Sequence, residues 1–289
     1  MTVTPAVEEE EVVVKPAEGF TFPPDETRLG IISTIIAVII VIIPVLPAFI
    51  KAVGLIFALL WGADSVRKTS KYGLGTGVPS IGVLAMGYGI VGALLGIAVV
   101  KFVEQNYPTL GAFSSVGALA GVLLMAVVGY ISGVLSNSEK VIGMKIPGLE
   151  RGMMELGIAG SLAMLLQLSI VAGSLNFDVV VDRAINNGLI AVMFVLSMMA
   201  MFHPYNACLG PDERRPRTLM VSVEISGLLS IILGIALAAI GTLAWDVANG
   251  ILLIILGALV WIVFYVKFVK AALRESYSVV GTGLIKTIE

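Results

Sequence analysis

Residues 111–135 read GAFSSVGALAGVLLMAVVGYISGVL, and no charged side chain interrupts them. A continuous apolar run of about 18 residues or more lets one helix cross a hydrocarbon core about 30 Å thick. The run does not alternate between apolar and polar positions, so it does not describe a barrel strand. In lipid the backbone has to satisfy its own N–H and C=O groups, and a helix does so within one segment. Working outward, apolar segments recur at 29–43, 47–62, 77–100, 153–175, 184–202, 218–242 and 247–269. The sequence therefore predicts an all-α polytopic membrane protein.

Composition agrees: 13% of residues are charged, against about 25% in an ordinary soluble domain. No basic tract suggests a nucleic-acid partner. The only cysteine, Cys208, excludes an intrachain disulfide. Residues 1–28 are acidic, with Glu8, Glu9, Glu10 and Glu11 in a row, and carry Pro5, Pro16, Pro23 and Pro24. They are expected to form a mobile tail rather than a cleaved signal peptide, because no basic n-region precedes the apolar sequence. The alternative is a strap onto a partner protein. The expected organisation is this tail, a transmembrane bundle over 29–269, and a cytoplasmic C-terminal tail over 270–289.

The segments at 29–43 and 47–62 set the span count. As one helix they would run about 50 Å, longer than the core they must cross. Pro44 and Pro47 interrupt them, and a proline costs about 3 kcal/mol inside a helix. Two short helices are the preferred reading, giving eight spans. The alternative is one long kinked helix and seven spans.

Lysine and arginine alternate between the connecting loops. Arg67, Lys68 and Lys71 lie in loop 63–76, Lys101 alone in 101–110, and Lys140, Lys145 and Arg151 in 136–152. Arg183 alone lies in 176–183, Arg214, Arg215 and Arg217 in 203–217, and none in 243–246. Lys267, Lys270, Arg274 and Lys286 follow. By the positive-inside rule the loops at 63–76, 136–152 and 203–217 and the C-terminus face the cytoplasm. Gly92 and Gly96, Gly117 and Gly121, and Gly129 and Gly133 are small residues four apart, a spacing that lets helix backbones approach closely. No inverted repeat is evident, so an architecture built on one lacks support.

The polar residues offer several candidates. Loop 203–217, HPYNACLGPDERRPR, holds the only histidine and the only cysteine. His203 and Cys208 would need Asp212, Glu213 or another protein chain to complete a zinc site, so no metal is predicted. A catalytic Cys–His pair lacks a third member. Arg214, Arg215 and Arg217 stand just before a helix start near Thr218. Guanidinium groups at a helix N-terminus suit a sulfonate, phosphate or carboxylate, although three arginines also simply mark the cytoplasmic side. Glu224, within an apolar segment, is a candidate for an ion path, because a charge there is costly unless it faces protein, a cavity or a cation. Glu155 reads as a carboxylate favouring a helix start, and Gln167 as a hydrogen-bonding group toward a neighbouring helix. Asp178, Asp182 and Asp246 read as solvated loop acids, with an acidic mouth for cations as the alternative. The stretch 72–82, YGLGTGVPSIG, is glycine-rich but is not a phosphate-binding loop, since no Gly-Lys-Ser/Thr follows.

Four strings together carry a resemblance. WGAD at 61–64, YGLGTGVPSIG at 72–82, MKIP at 144–147 and HPYNACLGP at 203–211 look like the C subunit of tetrahydromethanopterin S-methyltransferase. The likeness covers roughly residues 29–275, and its specific positions include Gly75, Gly77, Pro79, His203, Asn206, Cys208, Gly210 and Pro211. It implies a methanogenic archaeon and a membrane complex of several kinds of subunit. That complex moves a methyl group from methyl-tetrahydromethanopterin, through a corrinoid (cobamide) on a different subunit, to coenzyme M, and couples the transfer to sodium export. This chain is then expected to be a membrane component without the methyl-transfer active site. Its expected partners are the other membrane and corrinoid-bearing subunits, with coenzyme M a candidate contact at the arginines. A free-standing secondary transporter or channel is the competing class.

Overall fold

The computed structural model describes residues 24–43, 45–70, 78–137, 148–206, 215–241 and 243–282. The chain is helical throughout these residues. Its α-helices are α1 (Pro24–Ile42), α2 (Ala48–Ser70), α3 (Val78–Asn106), α4 (Ala118–Ser136), α5 (Leu149–Ala172), α6 (Phe177–Val180), α7 (Leu189–Asn206), α8 (Arg215–Ile240) and α9 (Ala244–Thr282). A 3₁₀ stretch, Pro108–Gly117, leads into α4, and a π-turn, Val181–Ile185, follows α6.

Six of these helices are long and apolar enough to cross a membrane. A seventh crossing is formed if Phe177–Ile185 and Leu189–Pro204, bent by 79° at their junction, count as one span. Gly188, at φ 69°, occupies that bend in the left-handed region that glycine enters without strain. The first apolar block is broken where the prolines predict: α1 ends at Ile42 and α2 starts at Ala48. The Pro47 carbonyl accepts the Ile50 and Lys51 N–H groups as the new helix begins. The apolar part of α1, Thr27–Ile42, is shorter than the other spans.

The second helix is not short. It continues to Ser70 through residues that the sequence reading assigns to a cytoplasmic loop. Asp64, Ser65, Arg67, Lys68 and Thr69 are all buried. They find partners inside the protein, so a helical turn rich in charge is stable where composition suggests solvent.

The centre of the bundle is α5, with 89% of its apolar window buried inside the protein. It packs against α1, α2, α3, α4, α7 and α8. Glycines let it do so closely: a Cβ on Gly129 of α4 would run into the Met153 backbone of α5. Likewise a Cβ on Gly121 of α4 would meet the Gly92 carbonyl of α3. The pairs at 92/96 and 129/133 therefore sit at helix contacts as their spacing predicts. At the other edge, α8 and α9 pair extensively, while the α9 apolar window is only 22% buried.

Candidate functional site: an ionic cluster joining four helix ends

One end of the bundle gathers charges from α2, α5 and α8, with a hydroxyl from α1. Asp64 of α2, whose side chain is fully buried, is the first centre. Arg215 opens α8 and grips this carboxylate with two hydrogen bonds, Nε to Oδ1 at 3.0 Å and Nη2 to Oδ2 at 3.2 Å. That is the fork geometry in which guanidinium recognises a carboxylate. Arg67 also donates to Oδ1 at 3.3 Å, and Lys68 lies 3.7 Å from Oδ2.

Glu155 of α5 is the second centre. Its Oε2 accepts from Ser65 at 2.5 Å and Lys68 at 3.1 Å, and its Oε1 accepts from Arg151 at 2.9 Å. The Lys68 ammonium thus bridges the two carboxylates. Arg151 then reaches α1, donating to the Thr27 hydroxyl at 3.3 Å. Buried ions are tolerable only when paired and hydrogen-bonded, which explains why the cluster closes on itself.

The sequence-predicted candidates are distributed around this cluster. Arg215 is part of it. Arg217 is half-buried in the first turn of α8, and Thr218 is fully buried one residue on. His203 is half-buried in the last turn of α7. Pro79 lies in the first turn of α3, and Asn206 ends α7. Arg214, Cys208, Gly210, Pro211, Gly75 and Gly77 lie outside the described residues. Glu224 is separate from the cluster: half-buried on α8, it takes a hydrogen bond from the Trp261 indole of α9. Among the described residues no group of three or more His, Cys, Asp or Glu side chains is placed to hold a metal ion.

Two sequence readings change. Glu155 is more than a favourable charge at a helix start, because its carboxylate holds α2 to α5. Asp246, 15% exposed, pairs with Arg183 at 3.6 Å instead of facing solvent, while Asp178 pairs with Lys101 at 2.7 Å but stays 74% exposed, as a loop acid does. Gln167 behaves as expected, donating across helices to the Ser197 hydroxyl at 2.7 Å.

Lys51 is a residue that sequence reasoning missed. It is 2% exposed, at the opposite end from the ionic cluster. Its Nζ donates to the Ser169 carbonyl at 3.0 Å and the Gly173 carbonyl at 3.2 Å. These belong to the C-terminus of α5, where Gly173 adopts φ 74°. A cation there satisfies carbonyls the helix leaves open and faces the negative end of its dipole. The available signal was a lone lysine inside the apolar segment 47–62.

A multi-helix apolar bundle with a charged lock at one end defines a polytopic membrane protein, and nothing in the lock alone tells which. Comparison with known proteins does. The family model for the C subunit of tetrahydromethanopterin S-methyltransferase, MtrC, matches residues 15–289. The MtrC protein of Methanosarcina mazei is 38% identical over 262 residues, covering 90% of this chain and 91% of the relative. That of Methanopyrus kandleri is 36% identical, covering 98% and 95%. That of Methanothermobacter marburgensis is 34% identical, covering 83% and 84%. The chain belongs to the MtrC family of tetrahydromethanopterin S-methyltransferase subunits.

Proposed function

We propose that this chain is an integral-membrane subunit of the sodium-translocating methyl-tetrahydromethanopterin:coenzyme M methyltransferase complex of methanogenesis. In this reading it crosses the membrane eight times, with the C-terminus cytoplasmic, and helps build the core that couples methyl transfer to sodium export. The corrinoid and the methyl-transfer active site belong to partner subunits. Family membership carries the proposal, and the bundle supports it. Its buried ions tie helix ends together, as a frame for partner subunits requires.

The soluble chemistry is met at the ionic-cluster end. There Arg215 anchors the start of α8 to α2 through Asp64, which holds Arg217 and Thr218 in the first turn. Arg214 and Arg217, with the α8 start at Thr218, receive or steer the sulfonate of coenzyme M. Arg214→Gln and Arg217→Gln should then raise the apparent KM for coenzyme M in the assembled complex. Unchanged kinetics with intact assembly would sink this assignment. Glu224 lies on the ion path. Its substitution by Gln should weaken the coupling of methyl transfer to sodium, and full retention of coupling would remove that role.

The decisive experiment is purification through a tag on this chain. A member of the complex brings down further kinds of subunit with a visible corrinoid spectrum and shows no transport alone in liposomes. A free-standing transporter does the reverse.

A further inference from the structure

A groove opens between α1 and α5 beside the ionic cluster. Thr27, Gly30, Ile31, Thr34 and Ile35 line one side, Arg151, Met154 and Glu155 the other, and Trp61 of α2 lies at the base. Residues spaced by three and four on each helix form these walls, so each wall is one helix face. The volume is about 420 Å³, within the roughly 300–1,000 Å³ of small-molecule sites. We propose that this groove binds an anionic membrane lipid, with the phosphate headgroup at Arg151 and the start of a chain along Ile31, Ile35 and Met154.

Charge and shape point the same way. The Arg151 side chain is 38% exposed, and guanidinium matches phosphate geometry. Glu155, in the same wall, does not present a bare negative charge, because it accepts from Ser65, Lys68 and Arg151. The Thr27 hydroxyl sits beside the guanidinium. Below this polar rim the wall turns apolar, and Ile31 and Ile35 remain 54% and 52% exposed. A free anion would leave that surface uncovered, whereas a lipid covers it. Trp61, 4% exposed, adds an aromatic wall that a lipid chain can pack on. Length adds a reason for headgroups to come this deep. The apolar part of α1, Thr27–Ile42, spans about 24 Å at 1.5 Å per residue. A hydrocarbon core of about 30 Å has to thin around it.

The test uses the intact purified complex in phosphatidylcholine nanodiscs carrying a photoreactive phosphatidylglycerol, with labelled peptides read by mass spectrometry. Labelling is expected on peptides covering 27–35 and 151–154, and excess phosphatidylglycerol should suppress it. Excess inorganic phosphate should not. Arg151→Gln should lower labelling about fivefold, the worth of one basic side chain near an anionic surface, and Arg151→Lys should restore most of it. Because Arg151 also serves the ionic cluster, Thr34→Phe provides a second arm: it fills the groove without removing charge and should lower labelling comparably. Equal labelling by a photoreactive phosphatidylcholine, suppression by inorganic phosphate, or undiminished labelling in either variant overturns the proposal. So does a photo-crosslinker at Ile35 that captures another protein instead of lipid.

Discussion

Asp64 shows what one side chain carries in this bundle. It is buried against three cations, and Arg215 holds it with both arms of its fork. Removing one partner of a buried, hydrogen-bonded ion pair typically costs about 3–5 kcal/mol, because the remaining charge stays desolvated. Asp64→Ala should therefore lower the midpoint of thermal unfolding of the complex sharply. Asp64→Ala combined with Arg215→Ala should cost clearly less than the sum of the two, which a double-mutant cycle measures. Additive losses would show that the pair is not coupled. Little of this was legible in advance. Asp64 entered the sequence reading only within a shared string, Glu155 as a helix-start charge, and Lys51 not at all. Which acid meets which base depends on helices distant in the chain coming together, and local spacing carries no signal for that. Gln167 was legible because an amide deep in an apolar helix needs a partner wherever it lands.

At the scale of helices, the proline break was readable, while several boundaries were not: α1 begins at Pro24 inside the expected tail, α3 runs to Asn106, and α9 continues to Thr282 past the expected end at 269. Pro44 and Pro47 separate α1 from α2 because a proline removes a donor and clashes with the preceding turn. The α2 boundary failed because charged residues were equated with loop, although their partners lie in the protein interior. Glycine spacing marked where helices approach closely, and the structure shows that the partners are α3, α4 and α5. A side chain at Gly129 would meet α5 backbone, which cannot rotate away. Gly129→Val should destabilise the bundle by at least about 1–3 kcal/mol, the usual cost of overpacking, seen as loss of monodisperse complex on size exclusion. A Cβ at Gly87, on α3, meets nothing within 4 Å. Gly87→Ala should elute as the parent does, and equal damage at both positions would refute close packing as the cause.

At the scale of the molecule, two ends are distinguished. The ionic cluster joins Thr27, Asp64, Arg151 and Arg215 at one. At the other, Val45 shares a cavity of about 660 Å³ with Phe113, Ser174 and Asn176, and a second of about 150 Å³ with Lys51, Gly173 and Trp245. The first helix therefore runs from one end of the bundle to the other, as an eighth crossing requires, although its apolar part is the shortest. By lysine and arginine counts the cluster end is expected to face the cytoplasm. Cysteine labelling tests both statements together. In a Cys208→Ser background, single cysteines replace the exposed residues Arg28, Val45, Leu110, Ser136, Asn187, Leu243 and Leu273. A membrane-impermeant maleimide applied to intact cells should label positions 45, 110, 187 and 243. Positions 28, 136 and 273 should react only after permeabilisation. The comparison of 28 with 45 decides the contested span, since a helix lying along one face would leave both on the same side. If 28 and 45 label alike while the other positions alternate, the chain crosses seven times and the groove beside Arg151 faces a surface helix. If every position reports the opposite side, the span count stands and the ionic cluster faces outward. Coenzyme M steering by Arg214 and Arg217 would then be ruled out by topology alone.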